Sequence, residues 1–359
     1  MISSNSSSMV HVLDTPAYLK KYDRGGMLRV ISGFPESCAE SIKFAESTDL
    51  QGLREGSFDS VVVSGMGGSA MGGVLLRDWL KGTLPLPMVV TGGYRLPGFV
   101  GGRTLLFAVS YSGGTEEAIS ALKDGIGRGA KAVVFASGGE MVEVAEERGL
   151  PLVRFPAGFQ PRAAISHQFF SLAVTARRLG LTGDAWGEVD EALCLLREMR
   201  AELAPESPLE SNPSKRLADV VKGYIPVIYG SSIHEGVAYR YSTQFNENGK
   251  SPAWAGIFPE AFHNSVMAAE AEPGLLERLC VVIIHDPAES PEMAAKIGRF
   301  REIVGRRFGR VVDVHARGRG RLARILSALY IGDFASAYLG ILYGRDPSTT
   351  GSIDALKRC

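Results

Sequence analysis

Short runs of consecutive apolar residues recur along this chain, and between them the apolar positions spread out to helical spacing. In the first half the runs are Ser60–Ser64, 87–90, Thr104–Val109, 130–135 and 152–155, each of which reads as a strand. Segments 140–147 and 163–179 carry the helical pattern. After residue 213 the same alternation returns, with strands at 224–229, 279–284 and 311–314 and helices at 236–246, 292–308 and 322–343. Strands alternating with helices predict parallel sheets covered by helices on both faces, an α/β class. The division expected is an unstructured extension over 1–25, one domain over 26–180, a linker over 181–213 and a second, repeated domain over 214–359. The linker region contains a charged helix at 188–203 followed by Pro205, Pro208 and Pro213.

Two turns stand out because each follows a strand and opens a helix. One is Gly65-Met66-Gly67-Gly68-Ser69-Ala70, and the other is Ser110-Tyr111-Ser112-Gly113-Gly114-Thr115. A helix N-terminus offers unpaired N–H groups and partial positive charge, which suits an anion. Gly67 and Gly68 let the backbone come close, and Ser69, Ser110, Ser112 and Thr115 add hydroxyl donors. With no lysine in either turn, the pattern suits a small phosphomonoester better than a nucleoside triphosphate. The first turn also fits the dinucleotide pattern GxGxxA. That reading needs an acidic residue at the end of the next strand, and Thr91-Gly92-Gly93-Tyr94 stands there instead.

The bulk properties narrow the classes. The 39 basic residues equal the 39 acidic ones, which argues against an electrostatic nucleic-acid or membrane-surface binder. No apolar run is read as long enough for a membrane span, and residues 1–8 lack the features of a signal peptide, so a cytoplasmic protein is expected. Cys38, Cys194, Cys280 and Cys359 are too far apart for a zinc knuckle or a redox CxxC, and no metal or other cofactor is expected.

Isolated polar residues carry weaker signals. Glu247 ends a helical pattern, where the dipole disfavours a carboxylate, and Arg162 opens one, where it disfavours a cation. His263 lies in a loop-like stretch. The residues alone give a two-domain α/β protein that binds a small phosphate ester.

The order of these motifs resembles the tandem sugar-isomerase (SIS) proteins, and more closely the bifunctional phosphoglucose/phosphomannose isomerases of archaea and some bacteria. The resemblance rests on Gly65–Ser69, Ser110–Glu117, Pro161–Ala164, Asn246-Glu247-Asn248, Pro259-Glu260 with His263-Asn264, and the tail from Gly332-Asp333-Phe334 to Lys357. It implies two SIS domains of flavodoxin-like three-layer form. It also implies a sugar-phosphate substrate, and a homodimer in which His263 is donated across the interface. By the same resemblance, Gly67, Gly68, Ser69, Ser110, Ser112 and Thr115 hold the phosphate, and Glu247 is the base. Arg162 stabilises an enediolate, His263 with Lys357 opens the ring, and Thr350 admits the C2 epimer. The family usually has Asn where this chain has Gly114, and the 180–213 segment looks longer than the usual connector. Two related readings fit less well. A glucosamine-6-phosphate synthase half needs an N-terminal glutaminase, and a sugar-phosphate sensor lacks the Glu, His and Lys present here.

Overall fold

The computed structural model describes residues 10–50, 52–53 and 58–356. They form two compact units. One lies within Gly33–Leu193 with Arg319–Ile325, and the other within the described residues up to Ser32, Cys194–Gly318 and those from Leu326 onward.

The first unit is built on β1 (Ser60–Ser64), β2 (Met88–Thr91), β3 (Thr104–Val109), β4 (Lys131–Ala136) and β5 (Leu152–Arg154). All neighbours are parallel, in the order β2-β1-β3-β4-β5. This is the flavodoxin-like winding, and its crevice lies where the chain leaves adjacent strands in opposite directions, here between β1 and β3. Every residue of β1 and β3 is buried, as central strands covered on both faces must be. One core layer gathers Val62, Leu106, Ala108 and Val134 from the sheet with Leu122 and Met141 from its helices.

The second unit contains β6 (Ile225–Ser231), β7 (Trp254–Phe258), β8 (Leu279–His285) and β9 (Arg310–His315), parallel throughout in the order β7-β6-β8-β9. This repeats the first winding without its last strand. Tyr229, Phe258, Ile283, Ile297 and Phe300 pack together on one face.

Two expectations are corrected. The stretch expected to lack structure up to residue 25 is helical at Val12–Asp14 and Pro16–Tyr22, and another helix spans Met27–Ser32. Leu13, Leu19, Met27, Leu28 and Ile31 are buried, and the Asp23 carboxylate accepts the N–H groups of Met27 and Leu28 at 2.7 and 3.1 Å. In the expected linker, the charged helix read at 188–203 is present. The helix Val189–Leu203 is followed by Pro213–Val221, which Asn212 caps by accepting from Ser214 and Lys215 N–H at 3.0 Å each. Finally, the helix Arg321–Leu342 is, at 22 residues, long and apolar enough to cross a membrane by length and composition. Its apolar stretch is wholly buried within the protein, as a core helix.

Candidate active site

In the first unit, β1 leads through Gly65–Gly67 into the helix Gly68–Leu80, and β3 leads through Ser110–Thr115 into Glu116–Gly127. The two turns are tied together, since Ser69 Oγ accepts the Tyr111 N–H at 3.0 Å. Ser110 Oγ accepts the Gly113 N–H and donates to Thr115 Oγ1, both at 3.1 Å. Ser112 is exposed, and its Oγ accepts the Gly114 N–H at 3.3 Å. Ser69 and Ser110 are buried, and Thr115 is half-buried. The hydroxyls thus line a descent from surface to strand end, with the first-turn N–H groups of two helices around them.

Arg162 joins this group from a third segment. It lies on the 3-10 turn Pro161–Ala163, before the helix Ile165–Arg178, and it is 4% exposed. A Cβ on Gly68 would lie 3.0 Å from the Pro161 carbonyl oxygen and 3.1 Å from the Arg162 nitrogen. Glycine at 68 therefore lets the first turn close on the Arg162 backbone. Tyr111, which carries no separate signal in the sequence, steadies the second turn from below. Its hydroxyl donates to the Pro156 carbonyl and accepts the Phe159 N–H, both at 2.8 Å, while burial raises its pKa and keeps it protonated.

In the second unit, Glu247 is the last residue of the helix Glu235–Glu247. Its neighbours in sequence are brackets. Asn246 exchanges two 3.2 Å hydrogen bonds with the Ala253 backbone, and Asn248 Nδ2 donates to Ser336 Oγ at 3.0 Å. Earlier on the helix, Gln244 donates to Asp333 at 3.2 Å and the Tyr241 hydroxyl to the Ala328 carbonyl at 2.6 Å. Glu247 lines a cavity of about 550 Å³ together with Asn246, Lys250, Arg345, Thr349 and Thr350. The Thr350 hydroxyl donates to the Asp354 carboxylate at 2.9 Å. Lys250 and Arg345 carry no sequence signal of their own, beyond the place of Lys250 three residues after Glu247. His263 is exposed on the turn that follows β7 and is not among the residues lining this cavity. Lys357 lies outside the described residues.

The second sheet has its own reversal point, between β6 and β8, and Gly230-Ser231-Ser232 stands there as the sequence repeat predicts. What the turn holds differs. Ser231 Oγ donates to the Glu289 carboxylate, whose pKa burial raises. Beside it, Asp286 accepts the Ala288 N–H at 2.9 Å and lies 3.8 Å from His234 Nδ1.

Comparison with known proteins matches residues 210–359 to a family model described as the bacterial phospho-glucose isomerase C-terminal SIS domain. A bifunctional phosphoglucose/phosphomannose isomerase of Caldicellulosiruptor bescii is 34% identical, covering 92% of this chain and 98% of the relative. A protein of the same name from Aquifex aeolicus is 34% identical, covering 84% of this chain and 90% of the relative. Among solved structures, a glucose-6-phosphate isomerase like protein from Thermus thermophilus aligns with a TM-score of 0.61 at 22% identity, covering 96% of this chain and 98% of that one. The C-terminal domain of glucosamine-fructose-6-phosphate aminotransferase from Francisella tularensis reaches 0.69 at 16% identity, covering 90% and 98%. These structural likenesses speak for the fold.

Proposed function

This chain belongs to the bifunctional phosphoglucose/phosphomannose isomerases, and from that premise we propose that it interconverts glucose 6-phosphate or mannose 6-phosphate with fructose 6-phosphate through a cis-enediol, with Glu247 as base. The observation that carries this reading is the cavity in which Glu247 meets Thr350, residues of the second unit that lie far apart in the chain. The Ser and Thr hydroxyls and helix N-termini of the first unit hold the phosphate. Glu247 removes the proton from C2 of the aldose and returns it to C1, while a hydroxyl proton passes from O2 to O1. An aldose–ketose shift of this kind needs one base on one face of a planar intermediate and no change of redox state. The buried Arg162 stabilises the enediolate charge as it develops. His263, with Lys357, opens the sugar ring. The exposure of His263 and its absence from the Glu247 cavity lining support its donation to a second copy in a homodimer. A cytoplasmic location belongs to the same reading.

Assays with fructose 6-phosphate test it, with both aldose products quantified. Glu247→Gln keeps the shape of the side chain but removes the proton acceptor, so kcat falls by about 10²–10⁴ for both substrates while binding of a phosphate-bearing inhibitor is nearly unchanged. Near-wild-type turnover by this variant removes Glu247 from the role. Mixing inactive Glu247→Gln and His263→Ala chains restores activity if His263 crosses between copies, because the heterodimer then holds one intact site. Verified heterodimers without recovery rule the crossing out.

A further inference from the structure

Lys250 lines the Glu247 cavity, and the proposed chemistry leaves it unused. It stands where the chain leaves the helix Glu235–Glu247, and its backbone is left-handed, with φ +53°. Glycine takes that conformation most readily at a helix end, yet the adjacent glycine, Gly249, does not supply it. A Cβ on Gly249 would lie 2.7 Å from the Phe245 carbonyl oxygen, so position 249 is already committed to a close approach. A strained non-glycine residue persists where its surroundings hold it.

The side chain shows what holds it. Lys250 Nζ donates to the Glu247 carbonyl oxygen, to the Thr349 carbonyl at 2.8 Å and to the Pro347 carbonyl at 3.3 Å. One ammonium group thus joins the last turn of the helix that bears Glu247 to the segment that delivers Thr350. It also sets a cation at the helix C-terminus, offsetting the partial negative charge that disfavours a carboxylate there. The far side of the segment is held separately. Asp346 accepts the N–H groups of Gly25 and Ser348 at 3.1 and 2.9 Å, and the Thr349 hydroxyl donates to the Asp346 carbonyl at 2.9 Å. Removing the ammonium therefore loosens the spacing between Glu247 and Thr350 while leaving the segment moored elsewhere.

We propose that Lys250 is a positioning residue that fixes Thr350 relative to Glu247 and thereby sets the preference between the C2 epimers. The inference rests on the isomerase reading and on Glu247 as its base. Mannose 6-phosphate is the sensitive substrate, because the open-chain sugar has to present its other C2 face to the same carboxylate.

The test uses the full-length protein with Lys250→Met and Lys250→Gly, both aldose phosphates as substrates, and melting temperature as the control for folding. Glycine relieves the left-handed strain, so Lys250→Gly keeps the fold even if Lys250→Met does not. The expected result is at least a fivefold change in the ratio of mannose 6-phosphate to glucose 6-phosphate kcat, with KM moving less than threefold. A ratio within twofold of wild type in whichever variant folds overturns the inference, as does a parallel fall of both activities in step with the melting temperature. Wild-type protein inactive on both sugars, or a fully active Glu247→Gln, sinks the isomerase reading itself. An active wild type with an inactive Glu247→Gln and an unshifted ratio sinks the Lys250 inference alone.

Discussion

Arg240 grips Asp333 through two parallel hydrogen bonds, 2.9 and 2.7 Å long, between side chains that are almost wholly buried. Arg240 lies two turns ahead of Glu247 on the same helix, so the pair anchors the element whose end enters the cavity. A buried ion pair is expensive to break from one side, because the remaining charge is stranded. Arg240→Met should cost about 3–5 kcal/mol in denaturant unfolding. The double variant Arg240→Met with Asp333→Leu should recover much of that loss, since neither charge then remains. A single variant that unfolds like the wild type would show that the pair does not anchor the helix.

The Ser110–Thr115 turn depends on glycine at one position and not at the next. Gly113 has φ +71°, and a Cβ there would lie 1.7 Å from the Gly138 carbonyl oxygen. Gly114 has no atom within 4 Å of the same construction. Gly113→Ala should therefore lower the melting temperature and raise KM for fructose 6-phosphate about tenfold or more, by moving Ser112 and Thr115. Gly114→Asn should leave both within about twofold of wild type. Equal effects at the two positions would mean that the turn is not held as described.

His167 gives the first unit a pH dependence. Burial lowers its pKa from 6.5 to about 4. Ser41 Oγ donates to the Ser37 carbonyl at 2.6 Å, so His167 Nδ1 donates to Ser41 Oγ at 2.8 Å, and Nε2 accepts from Ser37 Oγ at 3.3 Å. The folded protein thus holds the neutral ring, whereas the unfolded chain takes up a proton near pH 6.5. The contribution is fully present above that pH and is lost as the pH falls toward about 4. Unfolding free energy should drop by roughly 3 kcal/mol over this window. His167→Asn should flatten that part of the profile, and an unchanged slope would assign it to other groups.

Thr350→Gln addresses epimer choice directly. The longer side chain fills the cavity beside Glu247 and adds an amide that holds one rotamer of the sugar. Mannose 6-phosphate turnover should fall about tenfold, a barrier change near 1.4 kcal/mol, while glucose 6-phosphate turnover changes much less. The competing role is structural, through the hydrogen bond from Thr350 to Asp354. It predicts that both activities fall in parallel with the melting temperature.

Strands are legible where the environment is uniform. β1 and β3 have the bounds read from the chain because every residue in them is buried, and an unbroken apolar run says so. β7 escapes such a reading because it is an edge strand that buries Phe258 but leaves Trp254 and Ile257 exposed. The N-terminal helices escape it because they are short and the first two bury one residue each, Leu13 and Leu19, and their order comes from Asp23 and from packing within the second unit. The turns that gather Ser69, Ser110 and Thr115 are readable as local strand-turn-helix signals. The approach of Arg162 to Gly68, and of Thr350 to Glu247, joins residues far apart in the chain, which no local pattern encodes.

The Glu289 carboxylate on Ser231 marks where two modules of one design have diverged. In the first, the mouth of the sheet presents hydroxyls and N–H groups suited to a visiting anion. In the second, the corresponding serine is already satisfied by a negative group grown from the chain itself, so the protein carries its own stand-in for the guest. A duplicated fold becomes in this way a division of labour. On the proposed reading, one copy keeps the docking place for the phosphate. The other, relieved of that task, has its helix Glu235–Glu247 left to present Glu247.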